Sequence, residues 1–128
     1  MSGQDAVILF GHGARDPEWA RPLQRTREHL LASSPGLQVE LAFLELMRPA
    51  LGEAIDRVVA QGASRIVVVP MFIAQGGHMK SDVPVLVAAA RERHPDCELT
   101  LALPVGEDDS VIGAMAAYAA RCLTGSAR

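Results

Sequence analysis

The chain has 128 residues, of which 49% are hydrophobic, and a formal net charge of −3. This length predicts a single domain, residues 1–128, with an aliphatic core, and the mild negative charge argues against generic nucleic-acid binding. No apolar run reaches the ~20 residues that cross a bilayer, and the N-terminus lacks a signal peptide's basic region. We therefore expect a cytoplasmic protein without membrane contact.

The first half of the chain predicts two strands separated by a helix. Residues 6–10 form a continuous apolar run, typical of a buried strand. After a loop over residues 11–17, Asp16 and Pro17 suit the cap and the first position of a helix, which ends at Pro35 and Gly36. Alternate side chains of residues 37–44 fall on opposite faces in the pattern of a second strand.

The second half repeats this order. Pro49 opens a second helix that Gly62 ends, and residues 65–71 form the third strand. After a glycine-containing loop, Ser81 or Asp82 can cap a third helix, with Pro84 in its first turn. Residues 97–103 predict the fourth strand, and residues 108–110 cap the last helix.

The order of elements is therefore βαβαβαβα. Apolar strands that alternate with amphipathic helices indicate an α/β fold whose parallel sheet is covered on both faces. Right-handed crossovers leave few topologies, and strand order 2-1-3-4 is expected for a short sheet wound in both directions. The two cysteines, Cys97 and Cys122, match no metal or redox spacing, so we expect them to be reduced packing residues.

This strand order predicts where a ligand binds. Winding reverses between strands 1 and 3, and ligands bind outside the carboxyl ends of the strands at such a point. The loops there each carry a histidine beside glycine, and strand 2 ends at the same edge with Glu45. The candidate residues are Gly11, His12 and Gly13 in the first loop, and Gly76, Gly77 and His78 in the third.

Each candidate also has an ordinary structural explanation. A Gly-His-Gly turn is neither a dinucleotide fingerprint nor a Walker loop. Glu45 is either an exposed loop charge or an inward carboxylate that binds a metal or orients a histidine. Basic side chains on a protein surface are usually solvated. As a set, however, those near the two loops could hold carboxylates or phosphates. They are Arg15, Arg21, Arg48 and Lys80.

Three stretches, residues 7–13, 39–51 and 67–84, carry a family likeness. The chain resembles the small class II chelatases, namely the short CbiX-type sirohydrochlorin cobaltochelatases and their sirohydrochlorin ferrochelatase relatives. The likeness covers roughly residues 5–105, and the stretch around His78 is its most specific part. It implies a single flavodoxin-like domain of three layers with a four-stranded parallel sheet.

The resemblance also implies a function. It is the insertion of a divalent metal, Co²⁺ before Fe²⁺ or Ni²⁺, into sirohydrochlorin on the way to cobalamin or sirohaem. His12 and His78 would bind the metal and accept pyrrole protons, with Glu45 assisting. The metal is a substrate, and no organic cofactor is implied. The substrate would contact Gly11, Gly13, Arg15, Arg48, Gly76, Gly77 and Lys80.

Longer relatives contain two such halves in one chain, so the resemblance implies a homodimer of this half. Two other functions stay open. A metal or tetrapyrrole carrier would use the same ligands without turnover. A phosphotransfer enzyme of the histidine phosphatase kind also places a histidine after strand 1, but it requires an arginine where this chain has Gly11.

Overall fold

The computed structural model describes residues 4–74 and 76–125, without the side chains of residues 78 and 79. The four strands form one parallel sheet in the order β2-β1-β3-β4, which confirms the predicted topology. The strands are β1 (Gln4–Gly11), β2 (Gln38–Phe43), β3 (Ala63–Pro70) and β4 (Glu98–Leu101), and the helices are α1 (Arg21–Ser33), α2 (Leu51–Ala60), α3 (Gly77–Arg93) and α4 (Asp109–Thr124).

The register of the sheet brings three strand ends to one edge. Gly11 at the end of β1 lies beside Phe43 at the end of β2. On the other side of β1, Phe10 lies beside Pro70 at the end of β3. The loops that follow β1, β2 and β3 therefore start side by side, as the switch-point argument requires.

The main core lies between the sheet and the pair α2 and α3. Side chains of Ile8, Phe10, Ile66 and Val68 alternate toward these helices and are fully buried. Burying a side chain of this size contributes about 1.5–3 kcal/mol. Their burial accounts for the continuous apolar character of the central strands.

The opposite face of the sheet is covered only in part. Helix α1 packs on β2 and β1, where Leu23 and Phe43 form a smaller cluster and Trp19 contacts the Phe43 ring at 6.3 Å between centroids. On the same face, Val67 and Val69 of the central strand β3 stay half-buried.

Helix α4 does not cover this remaining area. None of its residues is buried, and its main contacts within the chain are with the short 3-10 helix that precedes it, Val105–Glu107. The expectation that the helices of this chain cover both faces of the sheet is therefore wrong for α4. Cys122 of α4 is exposed, so the packing role expected for it is wrong as well.

The start of α3 differs from the prediction. The helix begins at Gly77 with Gly76 as its N-cap residue, not at Ser81 or Asp82. The Lys80 N–H already donates to the Gly76 carbonyl at 3.1 Å, so the chain is helical before the expected cap. Pro84 therefore lies inside the helix, where it has no N–H to offer the preceding turn.

Smaller differences concern the ends of other elements. Asp16 caps a 3-10 helix, Pro17–Ala20, which carries Trp19 ahead of α1. Strand β4 is shorter than predicted. Of the helices in the part of the chain that is described, none is both long enough and apolar enough to cross a bilayer.

A polar cluster joins the two helices of the main core. The Asp56 carboxylate of α2 is 2.6 Å from His94 Nε2 and accepts a bond from Arg93 at 3.0 Å, both at the end of α3. The hydrogen bond with His94 and the charge of Arg93 hold the pKa of Asp56 below its ordinary value of 3.8. The folded state therefore favours the ionised carboxylate.

Replacing Asp56 by Asn tests this cluster. A lowered folded-state pKa stabilises the fold above the unfolded-state pKa, and this contribution disappears as the pH falls through the folded-state value. Because Asp56 is 51% exposed, Asp56→Asn should cost about 1 kcal/mol or less at neutral pH.

Urea unfolding of Asp56→Asn from neutral to acid pH should also show a smaller loss of stability on acidification than the wild type. Asp96→Asn, an exposed carboxyl beyond α3, is the control and should behave like the wild type. Parallel curves for wild type and Asp56→Asn would contradict the prediction.

Candidate functional site

The candidate site is built where the loops after β1 and β2 run together. Beyond the strand ends, the Leu44 N–H donates to the Gly11 carbonyl at 3.0 Å and the Glu45 N–H donates to the His12 carbonyl at 3.1 Å. These bonds bring the two side chains of interest together. His12 Nε2 lies 3.7 Å from Glu45 Oε2, and both side chains are about half-exposed.

Gly13 makes this close approach possible. Its φ is +100°, and a Cβ at this position would lie 1.8 Å from the carbonyl oxygen of Glu45. Such a distance is far inside van der Waals contact, so only glycine fits. Because Gly13 has no side chain, the loop after β2 can lie directly against the loop after β1.

The turn that follows Glu45 is strained. Leu46 has a φ of +67°, in the left-handed region that bulky residues rarely adopt, and its side chain is exposed. Residues held in this way cluster at functional sites. Nothing in the sequence pattern indicates this conformation, because Leu46 stands in an otherwise ordinary apolar stretch.

The third loop reaches the same edge. The Met71 N–H donates to the Phe10 carbonyl at 2.8 Å, which ties the loop after β3 to β1. Gly76 and Gly77 then start α3 in open space, since a Cβ at either position would meet nothing within 4 Å. The backbone of His78 lies in the first turn of α3, and its side chain is outside the described part.

The predicted cations are distributed unequally. Arg15 and Lys80 are exposed beside the loops. Arg48 instead pairs with the Glu53 carboxylate at the start of α2, and the same carboxylate accepts the Ala50 N–H at 2.9 Å. Arg21 lies 3.9 Å from Glu18, so neither of these two arginines is held beside His12 by a described contact.

Sequence reasoning missed Gly106, which lies in the connection between β4 and α4 and contacts the loop after β3. Its N–H donates to the Phe72 carbonyl at 3.0 Å, and a Cβ there would lie 1.8 Å from the carbonyl oxygen of Ile73. The 3-10 helix before α4 is thereby fixed against the loop after β3. A lone glycine in a short connection gives no signal of such a contact.

The site offers an imidazole and a carboxylate to solvent. These groups suit first-row divalent cations, and an imidazole can also accept a proton near neutral pH. Among the side chains that are described, which do not include His78, no three His, Cys, Asp or Glu groups lie close enough together to hold a metal ion. His12 and Glu45 alone provide two donors.

Comparison with known proteins identifies the family. The CbiX family model matches residues 6–121. The chain is 34% identical over 108 residues to the sirohydrochlorin cobaltochelatase of Priestia megaterium, covering 84% of this chain and 35% of that protein. It is 35% identical over 111 residues to the sirohydrochlorin cobaltochelatase of Saccharolobus solfataricus, covering 82% of this chain and 85% of that protein.

Solved structures agree with these matches. A putative cobalamin biosynthesis CbiX protein from Marinobacter aquaeolei VT8 superposes with a TM-score of 0.82 at 28% identity, covering 95% of this chain and 99% of that one. The sirohydrochlorin chelatase SirB from Bacillus subtilis subspecies spizizenii, in complex with cobalt, gives 0.76 at 29% identity, covering 91% of this chain. This chain spans 50% of that SirB chain.

Gly13→Ala tests the loop contact by its effect on stability. Backbone strain of about 1–2 kcal/mol and the clash with the Glu45 carbonyl should together lower the free energy of unfolding by roughly 2–4 kcal/mol. Gly36→Ala is the matched control, since a Cβ at Gly36 meets nothing within 4 Å, and should change stability by about 0.5 kcal/mol or less. Equal unfolding midpoints for the two variants would contradict the close approach.

Proposed function

Since the chain belongs to the CbiX family of metal chelatases, we propose that it inserts Co²⁺ into sirohydrochlorin. The observation that carries this proposal is the His12–Glu45 pair, 3.7 Å apart, at the edge where three loops converge in a chain matched over residues 6–121. Relatives named sirohydrochlorin cobaltochelatase support the choice of metal and macrocycle.

The choice of cobalt rests on these relatives and not on the donors. Imidazole and carboxylate bind divalent metals in the Irving–Williams order whatever the biological metal is. SirB from Bacillus subtilis has been solved with Fe³⁺ as well as with cobalt. Fe²⁺ and Ni²⁺ therefore remain the alternative substrates that an insertion assay should include.

In the proposed mechanism each of the two histidines acts first as a metal ligand and then as a base. Insertion exchanges two pyrrole N–H protons for one divalent cation. His12 and His78 bind the incoming cation as neutral imidazoles, and as the cation passes to the macrocycle the freed nitrogens accept the protons. Glu45, 3.7 Å from His12 Nε2, stabilises the imidazolium and fixes the orientation of the ring.

The macrocycle would be held by its carboxylates. Sirohydrochlorin carries eight, and Arg15 and Lys80 are exposed on the loops beside His12 and His78. The first backbone N–H groups of α3 add a second source of positive potential at Gly77. Gly76 and Gly77 face open space and would admit a planar ring, whereas Arg48 would have to leave Glu53 before it could contribute.

We also propose that two copies of the chain form the working unit. This chain spans half of the SirB chain from Bacillus subtilis subspecies spizizenii, so a homodimer would supply an equal amount of structure. A second copy would then provide the opposite wall of the substrate cleft. The half-exposed state of His12 and Glu45 in one chain accords with such a cleft.

Histidine substitutions test the assignment of the site. His12→Ala and His78→Ala should each lower the rate of Co²⁺ insertion by about 100-fold or more, since each removes a ligand and a base. The assay follows the macrocycle's absorbance under multiple turnover. His29→Ala, an exposed histidine of α1, is the control and should retain the wild-type rate.

Two results of this assay would overturn the proposal. If both site variants insert Co²⁺ at the wild-type enzyme-dependent rate, the histidines are not the site. If the wild type binds Co²⁺ and macrocycle but completes only one turnover, the protein is a carrier.

The proposed clamp is tested through the Michaelis constant. Arg15→Ala and Lys80→Ala should raise the KM for sirohydrochlorin by about 10-fold each and leave kcat nearly unchanged, because ground-state and transition-state binding are lost equally. Added salt should have a smaller effect on these variants than on the wild type. Arg25→Ala, exposed on α1, is the control, and a KM shift of the same size in it would contradict a specific clamp.

A further inference from the structure

Leu46 adopts a backbone conformation that its own side chain makes unfavourable. Its φ of +67° lies in the left-handed region, where a Cβ crowds the following carbonyl oxygen and which glycine, asparagine and aspartate adopt far more readily than leucine. Gly13, in the facing loop, also has a positive φ, and there the sequence supplies a glycine. Position 46 carries a leucine instead, at a cost in stability that glycine would avoid.

The Leu46 side chain gives the fold little in return. It is 57% exposed, whereas Leu44 and Met47, on either side of it along the chain, pack against the two hydrophobic clusters of the protein. The turn itself is closed by the backbone, because the Phe43 N–H donates to the Pro49 carbonyl at 2.9 Å. A contact outside the chain's own core would account for a leucine that is both strained and mostly exposed.

The backbone fixes Leu46 beside the His12–Glu45 pair. The Glu45 N–H donates to the His12 carbonyl at 3.1 Å, and the Glu45 carbonyl occupies the space that a Gly13 side chain would need. The Glu45 carboxylate lies 3.7 Å from His12 Nε2. Leu46 is therefore one residue away from a group that is proposed to assist the metal chemistry.

Exposed apolar side chains in loops are gathered at this same edge of the sheet. Among the described residues outside the helices, three large apolar side chains are exposed. They follow β2, β3 and β4, at the carboxyl ends of the strands, and they are Leu46, Ile73 and Leu103. A ligand that suits this edge has an apolar surface as well as acidic groups for the exposed Arg15 and Lys80.

We propose that Leu46 packs on the face of the tetrapyrrole and is the residue that recognises the ring itself. The carboxylates of sirohydrochlorin extend from the rim of the ring, so its faces are left to apolar contacts. Burial of the exposed part of Leu46 against the ring then offsets the strain that the free protein holds at this position. The inference rests on the chelatase function proposed above and adds a contact that does not depend on charge.

Binding measured without metal separates this contact from the insertion chemistry. Leu46→Asn tolerates the left-handed conformation and replaces the apolar side chain by a polar one of similar size. It should raise the dissociation constant for sirohydrochlorin about 10-fold, and Leu46→Met, which keeps an apolar side chain, should recover most of this loss. Titration of the metal-free protein, followed by the macrocycle's absorbance, measures both.

Val85→Asn is the matched control for removing an exposed apolar side chain. Val85 is 67% exposed and lies on α3, away from the loops that carry His12 and Glu45. This variant should bind sirohydrochlorin as tightly as the wild type does. A 10-fold loss in Val85→Asn as well would show that the effect is not specific to Leu46 and would overturn the inference.

Two further measurements distinguish a ring contact from a structural role. Leu46→Asn should unfold in urea at the wild-type midpoint or above it, because asparagine relieves the strained backbone, whereas a leucine that the fold needs would give a lower midpoint. Added salt should leave the ratio of the Leu46→Asn and wild-type dissociation constants unchanged, because an apolar contact is not screened. For Lys80→Ala the same ratio should fall as salt is added.

The outcomes keep the two proposals apart. A wild type that does not bind sirohydrochlorin would overturn the proposed function and this inference with it. A wild type that binds and inserts metal, beside a Leu46→Asn variant that binds equally tightly, would overturn the inference alone. A lower urea midpoint in Leu46→Asn, or a weaker dimer by light scattering, would assign the side chain to the fold or to a contact between copies and would likewise overturn the inference alone.

Discussion

The pairing of β1 with β2 on one side and β3 on the other is the constraint on which the rest of the structure depends. Because all three strands run parallel and finish at one level, their following loops have to meet at one edge. The main-chain bonds from Leu44 to Gly11 and from Glu45 to His12 continue this pairing beyond the strands. The position of the His12 side chain beside Glu45 is a consequence of backbone bonding, and no side-chain contact between buried groups is needed to produce it.

The sheet could be predicted because its signal is repeated along the chain. Four apolar runs alternate with helical segments, and the handedness of crossovers limits the possible strand orders. The order 2-1-3-4 could therefore be predicted. The start of α3 could not be predicted in the same way. Ser81 and Asp82 have ordinary capping side chains, whereas the actual cap, Gly76, contributes only its backbone. Capping preferences describe which residues stabilise a helix start and do not exclude a start five or six residues earlier.

Some features of the candidate site could be predicted from the sequence, and others could not. Glycines beside His12 and His78 mark loops where a ligand can approach, and this much is visible in the sequence. The contact of His12 with Glu45 depends instead on the positive φ of Gly13 and Leu46, which is set by how two loops pack. The pairing of Arg48 with Glu53 likewise could not be predicted, because the sequence does not show which of several possible partners a surface arginine binds. Residue type indicates which chemical groups are available, and tertiary packing decides which of them lie together.

An amphipathic pattern predicts that a face will be covered but does not state which molecule covers it. For α1, α2 and α3 the cover is the chain's own sheet. None of the residues of α4 is buried by its own chain, and the connection before it is held where Gly106 lies against Phe72 and Ile73. Those two residues also begin the loop that leads to Gly76 and the first turn of α3. The loop that holds the connection before α4 therefore also precedes the helix that carries His78. A side chain at Gly106 would displace the start of this loop, because it would collide with the Ile73 carbonyl and disturb the bond to the Phe72 carbonyl.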